Sequence, residues 1–204
     1  MRLLCLSDIH GDWSPVAGII SEVKPEMIFI TGDCQTFVPL DVAAYVIQGN
    51  HEDWDLWNDL LLGKLKIRNI NPLPNGRITT VFHGNISLKI ASLGGVEAKR
   101  PRKPSHFSEK DFQALLAEDY ADVLLTHEAP KPLWHGSVKI TTLIEKLKPS
   151  VAISGHVHAF QAAIYNNTST LIVNVPPVLH GYVTLEIETD ERIKVRDMHY
   201  HQFI

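Results

Sequence analysis

The run Arg2-Leu3-Leu4-Cys5-Leu6-Ser7-Asp8-Ile9-His10 decides how the rest of the chain is read. From Leu3 to Leu6 it is unbroken apolar sequence, the pattern of a short strand buried on both faces, and it stops at Asp-x-His. The same construction returns down the chain. Met27–Ile30 precedes Gly32-Asp33, residues 43–47 precede Gly49-Asn50-His51-Glu52, residues 123–125 precede Thr126-His127, and residues 151–153 precede Gly155-His156-Val157-His158. In open α/β sheets ligands sit beyond the carboxyl ends of strands, which is where these polar blocks fall.

Helical spacing fills the intervals. Val16, Ile19, Ile20 and Val23 predict one helix, with Ser14 before Pro15 as its start. Trp54, Trp57, Leu60 and Leu61 predict a second, ended by Gly63, and residues 109–117 and Val138–Leu147 predict two more. The middle is β-rich: residues 67–70, 78–82 and Ile86–Leu93 are divided by Asn-Pro, Asn-Gly and Gly-Asn turn signals and are expected to be antiparallel strands. The tail predicts hairpins over 159–165, 170–175, 182–187 and 193–198. Strand–helix alternation flanking an antiparallel stretch predicts an α/β fold of two sheets packed face to face with helices outside. At 204 residues, without repeats or an evident linker, residues 1–204 are expected to form a single domain.

Composition narrows the function. A net charge of −4 argues against a strong, non-specific polyanion binder, although it leaves room for a local basic patch. Cys5 and Cys34 are the two cysteines and form no Cys-x-x-Cys, which argues against a disulfide framework or a zinc ribbon. Cys5 reads as a small core residue; Cys34, next to Asp33, is expected to make activity sensitive to oxidation. The N-terminal apolar stretch resembles a signal peptide but is cut off at Asp8, and no stretch approaches the roughly 20 apolar residues of a membrane span. A soluble, cytoplasmic protein with no membrane partner is expected.

The five polar blocks supply oxygen and nitrogen donors and no sulfur, which suits Mn, Fe, Zn or Co. Asp8 and His10 alternate, as do His156 and His158, so each pair points one way if its strand continues through it. Asp33 is placed to bridge two cations. Asn50 adds a neutral amide oxygen and His127 a further nitrogen. A block such as Gly-Asp or Thr-His taken alone is an ordinary turn or surface dipeptide; the specificity lies in the ordered set.

That set resembles the calcineurin-like metallophosphoesterases, whose pattern is Asp-x-His, Gly-Asp, Gly-Asn-His-Glu or -Asp, a lone His, then Gly-His-x-His. The resemblance runs over residues 8–158. It implies a four-layer α-β-β-α sandwich and two divalent metal ions, manganese favoured. One ion would be held by Asp8, His10, Asp33 and His158, the other by Asp33, Asn50, His127 and His156. It implies hydrolysis of a phosphate ester by solvent ionised between the metals, with His51 over the substrate as the general acid. Glu52 would orient neighbouring groups, or would simply be exposed at the start of a helix.

Asp33 is followed by Cys34-Gln35-Thr36, whereas the protein phosphatases of this family continue with Asp-Arg-Gly, and the metal-binding Tyr of purple acid phosphatases is missing after Asp33. The resemblance is therefore to the small phosphodiesterases, acting on nucleotide or nucleic-acid substrates. The alternatives are a phosphomonoesterase or protein phosphatase, a non-catalytic scaffold such as the family's retromer subunit, or a metal- or nucleotide-sensing module. On the substrate side, Lys99, Arg100, Arg102 and Lys103 are expected to clamp a second phosphate or an oligonucleotide backbone. Trp54, Trp57 and Trp134 could stack a base, although the first two sit at core spacing.

Overall fold

The computed structural model describes residues 1–98, 104–133, 135–189 and 192–203. In chain order the strands are β1 (Arg2–Leu6), β2 (Met27–Ile30), β3 (Ala44–Val46), β4 (Ile70–Pro72), β5 (Arg77–His83), β6 (Ile86–Leu93), β7 (Val123–Thr126), β8 (Val151–Ser154), β9 (Gln161–Tyr165), β10 (Thr170–Asn174), β11 (Gly181–Thr189) and β12 (Ile193–Gln202). The helices are α1 (Val16–Val23), α2 (Trp54–Leu61), α3 (Glu109–Leu116) and α4 (Val138–Leu147). They build two six-stranded sheets, ordered β12-β11-β1-β2-β3-β4 and β5-β6-β7-β8-β10-β9. In the first, β1 to β4 are parallel; in the second, β6, β7, β8 and β10 are parallel.

The unbroken apolar runs follow from burial on both faces. Leu3 and Cys5 of β1 point between the sheets with Phe29, Leu88, Ile90, Leu125, Ile153 and Val173. Leu4 and Leu6 point outward against Ile19 and Val23 of α1 and Trp57 of α2. On the second sheet Ala91, Leu93, Leu124 and Ala152 meet Phe112 of α3 and Ile140, Leu143 and Leu147 of α4. These three cores make the four-layer α-β-β-α sandwich. With roughly 1.5–3 kcal/mol gained per fully buried aliphatic or Phe side chain, a polar residue within either parallel set would be costly. In β1, β7, β8 and β10 the polar residues therefore fall at the strand ends, whereas β6 and the edge strand β4 carry Ser87, Lys89 and Asn71 internally.

Local chemistry starts three of the helices. Asp53 caps α2 at the amide of Leu56, Ser108 and Asp111 form a reciprocal capping box on α3, and Ser137 caps α4. Ser14 does not cap α1 as expected. Pro15 occupies that position without a side-chain cap, and the Ser14 amide instead donates to Asp12.

The segment expected as an antiparallel strand over 67–70 is corrected to β4, which pairs parallel with β3 at the edge of its sheet. Asn69 takes a left-handed turn (φ 61°), Ile67 packs into the α1/α2 core, and Pro72, lacking an amide proton, is tolerated at an edge. The last strand runs four residues beyond the expected 198, because the alternation through Gln202 pairs with β11 across a bulge at Glu186/Ile187. Among the described residues no helix is long and apolar enough to cross a membrane.

Candidate metal centre

Apart from Thr126, the last residue of β7, the five polar blocks sit on loops, not on continued strands. β1 ends at Leu6 and β8 at Ser154, so strand alternation does not align Asp8 with His10 or His156 with His158. A left-handed backbone does it instead. Asp8, His10, Asp33, His156 and His158 have φ of 50°, 49°, 56°, 66° and 57°. Such a conformation costs a non-glycine residue on the order of 1–3 kcal/mol and persists only where the surroundings over-determine it. Here they do: the amide of Asp8 donates to the Gly32 carbonyl (3.1 Å), that of His10 to Asp33 (2.8 Å), and that of Gly155 to His127 (3.0 Å).

The glycines in these blocks mark close approach between loops. A Cβ on Gly49 would overlap Asp33, 2.7 Å from its Cγ, and one on Gly155 would stand 2.8 Å from Asp8 Oδ2. The Gly-Asn-His and Gly-His-x-His signatures thus begin with glycine because each loop lies directly on a carboxylate of another.

Asp8 and Asp33 are 2% and 1% exposed, a degree of burial rare for carboxylates unless they are paired. Asp8 Oδ2 accepts from the Ser7 hydroxyl and the His156 amide, while Oδ1 accepts no hydrogen bond among the described residues. His158 Nε2 lies 3.2 Å and His10 Nε2 3.9 Å from that free oxygen. Asp33 Oδ1 accepts the His51 amide at 2.8 Å, and its Oδ2 likewise accepts none among the described residues. Burial pushes the Asp8 carboxyl up, but His158, His127, Ser7 and the His156 amide outweigh it and hold the group below its ordinary range. The Asp8 carboxylate in turn raises His158, whereas burial, then the neighbouring His127, lowers His156.

His127 is wholly buried between the sheets' ends. Its Nδ1 lies 2.6 Å from the Thr31 carbonyl, which can only accept, so Nδ1 carries a proton. In its neutral form the ring presents a lone pair at Nε2, 2.8 Å from Asn50 Oδ1 and 3.6 Å from Asp33 Oδ1. Two acceptors aimed at each other, beside carboxylate oxygens without donors, are a mismatch that a cation between them resolves. The donor atoms of Asp8, His10 and His158 lie within 4.8 Å of one another, as do those of Asp8, Asp33 and His127. Asp8 belongs to both groups. His156 stands beside His127, ring centroids 5.1 Å apart, outside both. These oxygen and nitrogen donors fit divalent metal ions.

Around the centre, His51 is exposed on the loop after Asn50, its ring 6.3 Å from that of His10. Glu52 is buried, not exposed at a helix start. Its carboxylate accepts the amides of Cys34 (3.1 Å), Gln35 (2.9 Å) and Gly49 (2.9 Å). Burial still raises its pKa, against the pull of those three amides. Cys34 corrects the expectation of oxidation sensitivity: it is 0% exposed, and burial, with Glu52, Asp33 and Asp8 around it, pushes the thiol well above its usual range. A thiol so held is neither ionised nor reachable.

Three supports escaped the sequence reading. Ser7 holds Asp8, the Thr31 carbonyl orients His127, and buried Asn174 joins Ser154 to the Ala159 carbonyl beneath the His156–His158 loop. Ser7 adjoins a motif and could have been suspected; a backbone carbonyl leaves no signal in sequence. The expected substrate clamp Lys99, Arg100, Arg102 and Lys103, and Trp134, lie outside the described residues. Trp57 is buried in the α1/α2 core and Trp54 packs against it, so neither is free to stack a base.

No curated protein matches the chain. Solved structures match it in fold. One crystal structure aligns over 100% of this chain and 99% of its own, at 15% identity and a TM-score of 0.74. A Staphylococcus aureus protein assigned as a 5′-nucleotidase, solved with α-ketoglutarate, aligns with 98% of this chain at 14% identity and a TM-score of 0.63; this chain spans 54% of its length. GAP50, the anchor in the inner membrane complex of Plasmodium, aligns over 100% of this chain and 89% of its own, at 14% identity and a TM-score of 0.56. At such identities the likeness is one of fold. Residues 1–160 match the family model for calcineurin-like phosphoesterases, and with the donor cluster within that span, the chain belongs to the calcineurin-like phosphoesterase family.

Proposed function

We propose that this chain hydrolyses phosphodiesters with two divalent cations, manganese preferred, held by Asp8, His10, Asp33, Asn50, His127, His156 and His158. The observation that carries the reading is the pair of buried carboxylate oxygens, Asp8 Oδ1 and Asp33 Oδ2, that accept no hydrogen bond among the described residues, His158 Nε2 standing 3.2 Å from the first as an ion-pair partner. When bound, the ions supply Lewis acidity toward the phosphoryl oxygens and a nucleophile from water near neutral pH.

The chain's own residues do the rest. Asp33 fixes the His51 loop through the His51 amide, and the exposed imidazole of His51 donates a proton to the leaving oxygen. His10 and His158, on the solvent side, border the opening through which the ester enters. A diester is favoured over a monoester on charge. Among the described residues the groups facing Asp8 and Asp33 are imidazoles, and no lysine or arginine pairs with either. A monoester dianion calls for fixed cations of that kind, whereas a diester carries a single negative charge. Both described cysteines are free and buried, which supports a reducing compartment such as the cytoplasm.

Turnover of bis-p-nitrophenyl phosphate against p-nitrophenyl phosphate, each with Mn²⁺, tests the proposal. A higher kcat/KM on the diester is expected. Faster monoester hydrolysis overturns the diester assignment, and no turnover of either overturns catalysis.

A further inference from the structure

A groove of about 810 Å³ runs from the loop before Asn50 toward α3, and none of the five polar blocks lines it. One end is at Gln48. Consecutive Cα atoms are about 3.8 Å apart, so the Gln48 Cα lies within roughly 8 Å of that of Asn50. Gln48 is held in place: its carbonyl accepts the Gly95 amide at 3.0 Å and its side-chain amide donates to the Pro104 carbonyl at 3.0 Å. From there the groove passes the end of β4 and the start of β5 to the first turn of α3. It therefore opens at the same end of the sandwich as the metal centre, and its volume is that of a small-ligand site.

Its walls carry two kinds of chemistry. Arg77 and Lys110 are exposed within it, and among the described residues neither forms an ion pair with a carboxylate. Asp111, the acidic group in the lining, is turned to the amide and hydroxyl of Ser108 in the α3 cap. This local cationic excess stands against a chain of net charge −4. The same lining includes apolar residues, Leu62, which is 68% exposed, with Pro72 and Pro74. Cations without carboxylate partners among the described residues, in one groove with apolar side chains, suit a ligand that joins an anion to a ring.

We infer that this groove is a subsite for a nucleoside phosphate unit beyond the scissile diester, with Arg77 and Lys110 on its phosphate and Leu62, Pro72 and Pro74 against its base. The inference rests on the diesterase reading and makes the substrate a dinucleotide or short oligonucleotide. Small aryl diesters would leave the groove unused.

The test is equilibrium binding to the full-length, Mn²⁺-loaded chain. The probes are dithymidine with a non-hydrolysable methylphosphonate linkage, without and with a further phosphate at the 5′ or the 3′ end. One phosphorylated form is expected to bind about tenfold more tightly than the unphosphorylated one, the size of a charge-assisted contact. Arg77→Ala/Lys110→Ala should abolish that preference and Arg77→Lys/Lys110→Arg should restore it, while Leu62→Ser should weaken all three probes. Equal binding of the three probes by the wild type overturns the inference. A preference that survives in the alanine double variant also overturns it, since the phosphate is then held elsewhere. Because the readout is binding, a failure here is distinct from failure to hydrolyse bis-p-nitrophenyl phosphate.

Discussion

Glu52 holds the amide of Cys34 at 3.1 Å across 18 positions of sequence, and so staples the Gly-Asp loop to the Gly-Asn-His-Glu loop. The same carboxylate takes the amides of Gln35 and Gly49, so one buried side chain sets the distance between Asp33 and Asn50. Removing it strands buried donors, each costing about 1–3 kcal/mol. Glu52→Ala is therefore expected to lose about 2–4 kcal/mol in urea unfolding. Glu52→Gln should lose less but still measurably, because one end of the carboxamide presents hydrogens to a backbone donor. A Gln variant as stable as wild type would show that the two-sided acceptor is not what holds these loops.

Asp33 lies beside Asp8 in a buried site, each with an oxygen that accepts no hydrogen bond among the described residues. Without divalent ions these charges oppose folding, and with them the folded state gains about 2.7 kcal/mol at 100-fold excess over Kd. Asp33→Asn should then be at least as stable as wild type in chelator but lose most of the rise in Tm on adding Mn²⁺. Thermal melts with and without metal, alongside elemental analysis, check this. An unchanged rise in the variant would remove Asp33 from the metal set.

His51 contributes its amide to the framework and its ring to the opening. His51→Ala keeps the amide, so metal content should stay at the wild-type level while turnover of an aryl diester falls roughly 10²–10⁴-fold, the range for a general acid. The assignment requires the two readouts to separate; a variant that loses metal and activity together places His51 in the framework alone.

Cys34 is enclosed by the loops Glu52 joins. Native protein is expected to react with Ellman's reagent at neither Cys5 nor Cys34, and both thiols should appear on unfolding in urea. Fast labelling of Cys34 in the native chain would mean that the two loops open readily.

Loop geometry at the metal centre is not disclosed by the sequence, and the gap has a physical origin. Spacing puts Asp8 and His10 side by side, but strand alternation stops at Leu6; left-handed residues instead bring the buried Asp8 carboxylate and the exposed His10 ring within 4.8 Å. A backbone angle imposed by hydrogen bonds to Gly32 and Asp33, far along the chain, leaves no local trace at residues 8 and 10. Glu52 shows the same limit, since nothing between Asn50 and Asp53 says whether its carboxylate faces water or three amides.

What the chain determined by itself is the order of buried strands and the placement of polar blocks after them. Both follow from side-chain hydrophobicity read at the strand and helix periods, which are local. Tertiary structure alone decided that Asp8 contributes to both donor groups, that Thr31 sets the tautomer of His127, and that Arg77 and Lys110 share a groove leading to Gln48. Each depends on segments far apart in sequence, brought together because the apolar faces of two sheets must be buried against one another.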